Sequence, residues 1–185
     1  MERISDRTEL ARRLPGGGIE AELGVCAGGY ARVLLREAWP KRLYLIDLWQ
    51  ADVMGYTATE ARQRAFAAFE GEEAVRLVVS DTVAWLAARR PSSLDWCYID
   101  SDHSEPLTTR ELCQSLRVVK AGGWICGHDY GPFSPGVVNA VNRFCELHGQ
   151  RLTYLTDEPE APPRKAAPWM PSRAACNSFA IVVEK

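Results

Sequence analysis

Short apolar runs that alternate with longer amphipathic stretches constrain this chain more than any other feature. The runs are "IEAELGV" (19–25), "RLYLIDL" (42–48), "VRLVVS" (75–80), "LDWCYID" (94–100), "GWICGHD" (123–129), "RLTYLT" (151–156) and "SFAIVVEK" (178–185). Each has the length of a strand, and helical periodicity falls between them, near 29–38, 58–70, 81–90, 106–119 and 136–148. Parallel neighbours need a crossover connection, and a helix of this length supplies one, so the pattern predicts an α/β, doubly wound sheet of seven strands. The period is lost in "TDEPEAPPRKAAPWMPSRAAC" (156–176), whose five prolines each remove a backbone donor. Residues 157–176 are therefore expected to form a long proline-rich loop, and the two strands it joins can pair as an antiparallel hairpin.

At 185 residues the chain can bury one good core, so residues 1–185 are expected to form a single domain. A formal charge of −2 carries no excess of the kind that neutralises phosphates. The expected partner is a small molecule rather than a nucleic acid, and a homo-oligomer stays open. The opening "MERISDRTELARRL" has no apolar signal segment, and the six cysteines form no CxxC pair. We read the thiols as reduced and the protein as cytoplasmic. No apolar run approaches the roughly 20 residues that span a bilayer, so no membrane is expected.

The chemistry gathers at the strand ends. In "AELGVCAGGYARVLL" a strand carrying Glu22 meets Gly24, Gly28 and Gly29 and then a helix. Glycines at such a turn let a ligand approach the backbone, although plain helix–sheet packing uses them too. The second strand ends in Asp47, where a carboxylate can accept from both hydroxyls of a ribose. The third ends in Ser80 and Asp81, and Asp81 can either face an adenine amino group or cap the next helix. A dinucleotide phosphate wants G-x-G-x-x-G; here Cys26 holds the middle glycine position and Glu22 stands two residues before the first glycine. An acid there repels a phosphate and suits the cationic amino end of S-adenosylmethionine (SAM). A nucleotide-dependent oxidoreductase is the disfavoured alternative.

The segments "EAELGVCAGGYA", "YLIDLW", "CYIDSDHSEP" and "VKAGGWICGHDYG" together resemble class I SAM-dependent methyltransferases. Within these the chain is most similar to a small subgroup with D-x-x-H and GHDY segments, like the macrocin-type sugar O-methyltransferases. The resemblance implies a sheet of order 3-2-1-4-5-7-6 with the last strand antiparallel. It implies donor contacts from Glu22, Gly24, Val25, Gly28, Asp47, Leu48, Ser80, Asp81 and Asp100. It also implies metal and catalytic positions at Asp100, His103 and Asp129.

On neighbouring strands about 4.8 Å apart, the carboxylates of Asp100 and Asp129 can converge on a cation, for which Mg²⁺ is expected. His103 is the expected general base and Asp100 its catalytic partner, while Asp102 reads as a helix cap. His128 stands where metal-dependent members carry an acid, and strand alternation predicts that it points away from Asp129. The function implied is transfer of a methyl group to an oxygen of a small hydroxylated acceptor, a sugar or a secondary-metabolite intermediate, with Mg²⁺ assisting. A SAM-binding module without catalysis is the alternative of another class. Tyr130, Phe133 and Trp169 are the expected walls of the acceptor pocket.

Overall fold

A computed structural model of the chain describes residues 1–157 and 176–185. In chain order its elements are β1 (Glu2–Ile4), α1 (Arg7–Arg13), β2 (Ile19–Leu23), α2 (Gly29–Ala38), β3 (Arg42–Asp47), α3 (Ala58–Ala68) and β4 (Val75–Val79). They continue with α4 (Thr82–Ala87), β5 (Leu94–Ile99), α5 (Glu105–Val118), β6 (Val119–Tyr130), α6 (Pro135–His148), β7 (Tyr154–Thr156) and β8 (Asn177–Val182). The proline-rich segment and Trp169 lie outside the described residues, apart from the two ends of the segment.

Alternation along the strands builds two cores. In β5, Trp96 and Tyr98 point to one face of the sheet and meet Leu10 of α1 and Leu34 of α2. Cys97 and Ile99 point to the other, among Leu86 of α4, Leu112 of α5 and Phe144 of α6. The result is a three-layer sandwich with the sheet in the middle. Local signals set the helix ends. Asp6 caps α1 through the amides of Thr8 and Glu9 at 2.8 and 2.9 Å, Thr57 and Glu60 form a capping box on α3, and Gly149 closes α6 at φ +62°.

The sheet order is β1-β7-β8-β6-β5-β2-β3-β4. The seven-strand expectation is corrected to eight among the described residues, because Glu2–Ile4 pairs in parallel with Tyr154–Thr156 and extends that edge, so the implied order is not matched exactly but gains an edge strand. β8 runs antiparallel to both β6 and β7. Chain order reverses between β2 and β5, and the helices that follow these two strands leave on opposite faces. That crevice, at the carboxyl ends of the strands, is where an open α/β sheet receives ligands.

Candidate active site

The crevice is shaped by backbone that only certain residues tolerate. Gly24 has φ +86°, and a Cβ there would run into the carbonyl of Asp100 across the strand pair. Cys26, in place of a glycine, is also left-handed at φ +50°. The turn is clipped by Asp47: its Oδ2 accepts from the amides of Val25 and Cys26 at 2.8 and 2.9 Å, and its Oδ1 from that of Trp49 at 2.7 Å. The Trp49 indole N–H donates back to the Cys26 carbonyl at 2.8 Å. Two carboxylate oxygens offer about four acceptor sites, so the acid expected to hold a ribose already holds three backbone amides.

A cleft of about 400 Å³ opens beside this clip and is lined by Asp47, Leu48, Trp49, Asp81, Asp100 and Asp102, among others. Asp81 accepts from the Ala84 amide at 2.7 Å, so it caps α4 while one edge faces the cleft. Ser80 donates from its hydroxyl to the Asp81 carbonyl at 3.0 Å. The sequence reading missed Glu111. Fully buried on α5, it accepts from Thr82 and Ser101 at 2.5 and 2.6 Å and so ties the two walls of this cleft together. Burial raises its pKa to about 7 against those two bonds.

A second cleft, of about 560 Å³, adjoins the first and shares Gly24, Cys26, Val53, Asp100 and Ser101 with it. Glu22 lines its floor, 2% exposed, and its Oε2 has no hydrogen-bond partner. Burial first, and the charge of Asp100 second, push the Glu22 carboxyl well above its usual range. A buried carboxyl with one unpartnered oxygen fits a cationic group brought by a ligand. The walls are Arg7, Tyr30, Met54 and Tyr56, none of which was expected. Tyr130 and Phe133 are not among its lining residues; the Tyr130 hydroxyl donates instead to Asn142 at 2.8 Å.

Asp100, His103 and Asp129 meet at the mouth of this cleft, each offering one ligand atom within 4.8 Å of the others. His103 Nε2 lies 2.9 Å from Asp129 Oδ2. The expected direction of His128 is corrected: its Nδ1 lies 3.1 Å from the same Asp129 oxygen and 3.9 Å from Asp100 Oδ1. The reason is the backbone. Asp129 sits at φ +60°, which breaks the alternation of β6 and swings its carboxylate round to meet the imidazole before it. The β6–β8 register shifts at the same place.

Burial raises the Asp129 pKa, but the bonds with His103 and His128 outweigh it and hold the carboxyl below its usual range. His103 is raised by its bond to Asp129. Burial lowers His128, yet Asp129 and Asp100 bring it above its ordinary value. Asp100 is raised by burial. Asp102 accepts from the Ser104 amide at 2.7 Å, just ahead of α5.

A doubly wound sheet with a glycine-turn crevice, a strand-end acid and a buried carboxylate facing the ligand edge describes a nucleoside-cofactor enzyme. A family model described as a methyltransferase domain matches residues 21–130. The chain belongs to this methyltransferase family. No curated protein matches it by sequence. Among solved structures it is similar to an rRNA methylase from Streptococcus thermophilus, at 13% identity over 97% of this chain and 95% of that one, with a TM-score of 0.63. It is similar to the N-methyltransferase NodS from Bradyrhizobium japonicum in complex with S-adenosyl-L-homocysteine (SAH), at 12% identity, 97% and 86% coverage and a TM-score of 0.66. It is also similar to a SAM-dependent methyltransferase from Aquifex aeolicus, at 17% identity, 96% and 88% coverage and a TM-score of 0.62. At these identities the likeness concerns the fold. Among the described residues no helix is long and apolar enough to cross a membrane.

Proposed function

We propose that the chain transfers the methyl group of SAM to a hydroxyl oxygen of a small acceptor, a sugar or a secondary-metabolite intermediate. The observation that carries this is the His103–Asp129 pair, 2.9 Å apart, at the mouth of the cleft whose floor is Glu22. Glu22, unpartnered at Oε2, suits the ammonium of the donor's methionine end. The cleft lined by Asp47, Leu48 and Asp81 suits its adenosine. SAM, when bound, supplies an electrophilic methyl group on a sulfonium. With Nε2 of His103 donating to Asp129, Nδ1 is left to take the acceptor's proton, and Asp129 stabilises the imidazolium that forms. Asp100, beside both, is the acceptor for a second hydroxyl or for the donor's amino group. Structural relatives include an rRNA methylase, so kinship alone does not select a small acceptor. The net charge of −2 favours one.

The Mg²⁺ that the resemblance implied meets a donor set that does not fit it. Mg²⁺ is held through oxygen atoms, and here a largely buried imidazole stands within 3.1 and 3.9 Å of the two carboxylates it would need.

The test is calorimetry with SAH, followed by transfer of labelled methyl from SAM to a panel of small hydroxylated acceptors. His103→Ala should keep SAH affinity while transfer slows roughly 10²–10⁴-fold, the usual contribution of a positioned base. Absence of SAH binding, or full transfer by His103→Ala on an accepted substrate, refutes the reading.

A further inference from the structure

Glu111 makes two short bonds that the methyl-transfer reading leaves unused. We propose that Glu111 is a positioning residue that makes the first cleft select an amino group over a carbonyl on the ligand's base, by fixing the hydroxyls of Thr82 and Ser101 as acceptors. The inference rests on the reading that this cleft receives the donor's adenosine, and it adds which side chains choose the base.

The geometry carries it. Glu111 is fully buried on α5, and its Oε1 accepts from Thr82 Oγ1 at 2.5 Å and from Ser101 Oγ at 2.6 Å. Thr82 opens α4 and Ser101 follows β5, so two separate walls of the cleft converge on one oxygen. A hydroxyl has one proton and two lone pairs. With that proton committed to the carboxylate, each hydroxyl has only lone pairs left to offer the cleft that both residues line. Their neighbours add to the same polarity. Asp81 and Asp102 line this cleft as well; each accepts from a backbone amide, that of Ala84 or Ser104, and as a carboxylate keeps further acceptor sites but no donor.

The choice of base follows from these acceptors. The 6-amino group of adenine brings two N–H donors to them, whereas the 6-carbonyl of hypoxanthine brings more lone pairs. A site built to pair one group rejects the analogue that leaves its polar atoms unpaired far more strongly than an apolar pocket rejects a change of shape. If Glu111 merely tied α4 to α5, its loss would loosen the cleft for both bases alike. Base discrimination therefore separates positioning from support.

The experiment is calorimetry on the full chain with SAH and with S-inosyl-L-homocysteine, in which a carbonyl replaces the 6-amino group. It is run at about pH 8.5, above the value of about 7 to which burial raises Glu111, where the carboxylate can only accept. The wild type should hold SAH at least roughly 100-fold more tightly than the inosine analogue. Glu111→Met keeps the bulk and removes the acceptor, which frees both hydroxyls to donate; it should narrow that ratio at least about tenfold, chiefly by tightening the analogue. Thr82→Val, which leaves Glu111 in place, should weaken SAH roughly tenfold and leave the analogue within about twofold. A ratio that Glu111→Met does not move, or a Thr82→Val variant that loses both ligands equally, overturns the proposal. Equal binding of the two ligands by the wild type also overturns it while the donor reading stands, whereas failure to bind SAH at all refutes that reading itself.

Discussion

Donor binding should expel a proton from Glu22. This carboxyl is buried, its Oε2 has no partner, and burial with the charge of Asp100 holds its pKa well above the ordinary value. In the empty protein its protonated form therefore persists to higher pH than that of an exposed carboxyl, and the ammonium of SAM or SAH, placed against it, favours the carboxylate. Below the raised pKa, affinity should rise about tenfold, or about 1.4 kcal/mol, for each pH unit. Glu22→Gln removes both the titration and the charge. It should abolish the pH slope and, above the titration, lower affinity by about 1.5–3 kcal/mol, roughly 10- to 150-fold.

The loss would not reflect unfolding. An acid whose pKa is raised on folding destabilises the fold progressively as pH rises above its unfolded value of about 4.5, so the amide should be the more stable variant at neutral pH. Calorimetry with SAH in buffers of different ionisation enthalpy reads the proton directly. Measured below the raised pKa, a proton should leave on SAH binding in the wild type, and close to none in Glu22→Gln. Zero release in the wild type, or equal release in both, refutes the reasoning.

Asp47→Ala should weaken SAH and destabilise the fold together, by about 2–4 kcal/mol, because three backbone amides lose one carboxylate. An unchanged urea midpoint would show that the clip contributes nothing. Glu20 is fully buried on β2, and burial with the nearby Asp95 charge, opposed by the Gly18 backbone and Lys120, raises its pKa to about 8. Glu20→Gln should gain little stability near pH 4.5 and progressively more as pH rises toward 8, on the order of 3–5 kcal/mol in all. A gain that does not depend on pH would contradict that assignment.

Two of the strands that the sequence announced are buried on both faces. Arg42–Asp47 and Leu94–Ile99 carry near-continuous apolar runs and lie where the runs place them. Glu2–Ile4 announces nothing, since only Ile4 is buried and the strand exists because the Tyr154 edge offers it partners. The helix after it did leave a cue: Asp6 followed by Glu9, an N-cap acid with a glutamate at the third position.

At the site, Asp47 was visible as a strand-end acid, but nothing local showed that its oxygens would hold Val25, Cys26 and Trp49. Glu111 resembles any solvated acid on an amphipathic helix. Its importance comes from Thr82 and Ser101, which arrive from separate segments. His128 was misdirected because alternation assumes extended backbone, and one left-handed residue is enough to cancel it.

That left-handed residue also limits how the site can drift. At φ +60°, Asp129 occupies a region that aspartate, asparagine and glycine enter readily and other residues enter at a cost of about 1–2 kcal/mol. Most single substitutions there meet two obstacles at once, lost charge and a backbone they resist. Of the three residues at ease in the conformation, only aspartate brings a negative charge, so a lineage that abandons this chemistry has two quiet exits, asparagine and glycine. A lineage that lengthens the acid to glutamate keeps the charge but meets the cost of that backbone.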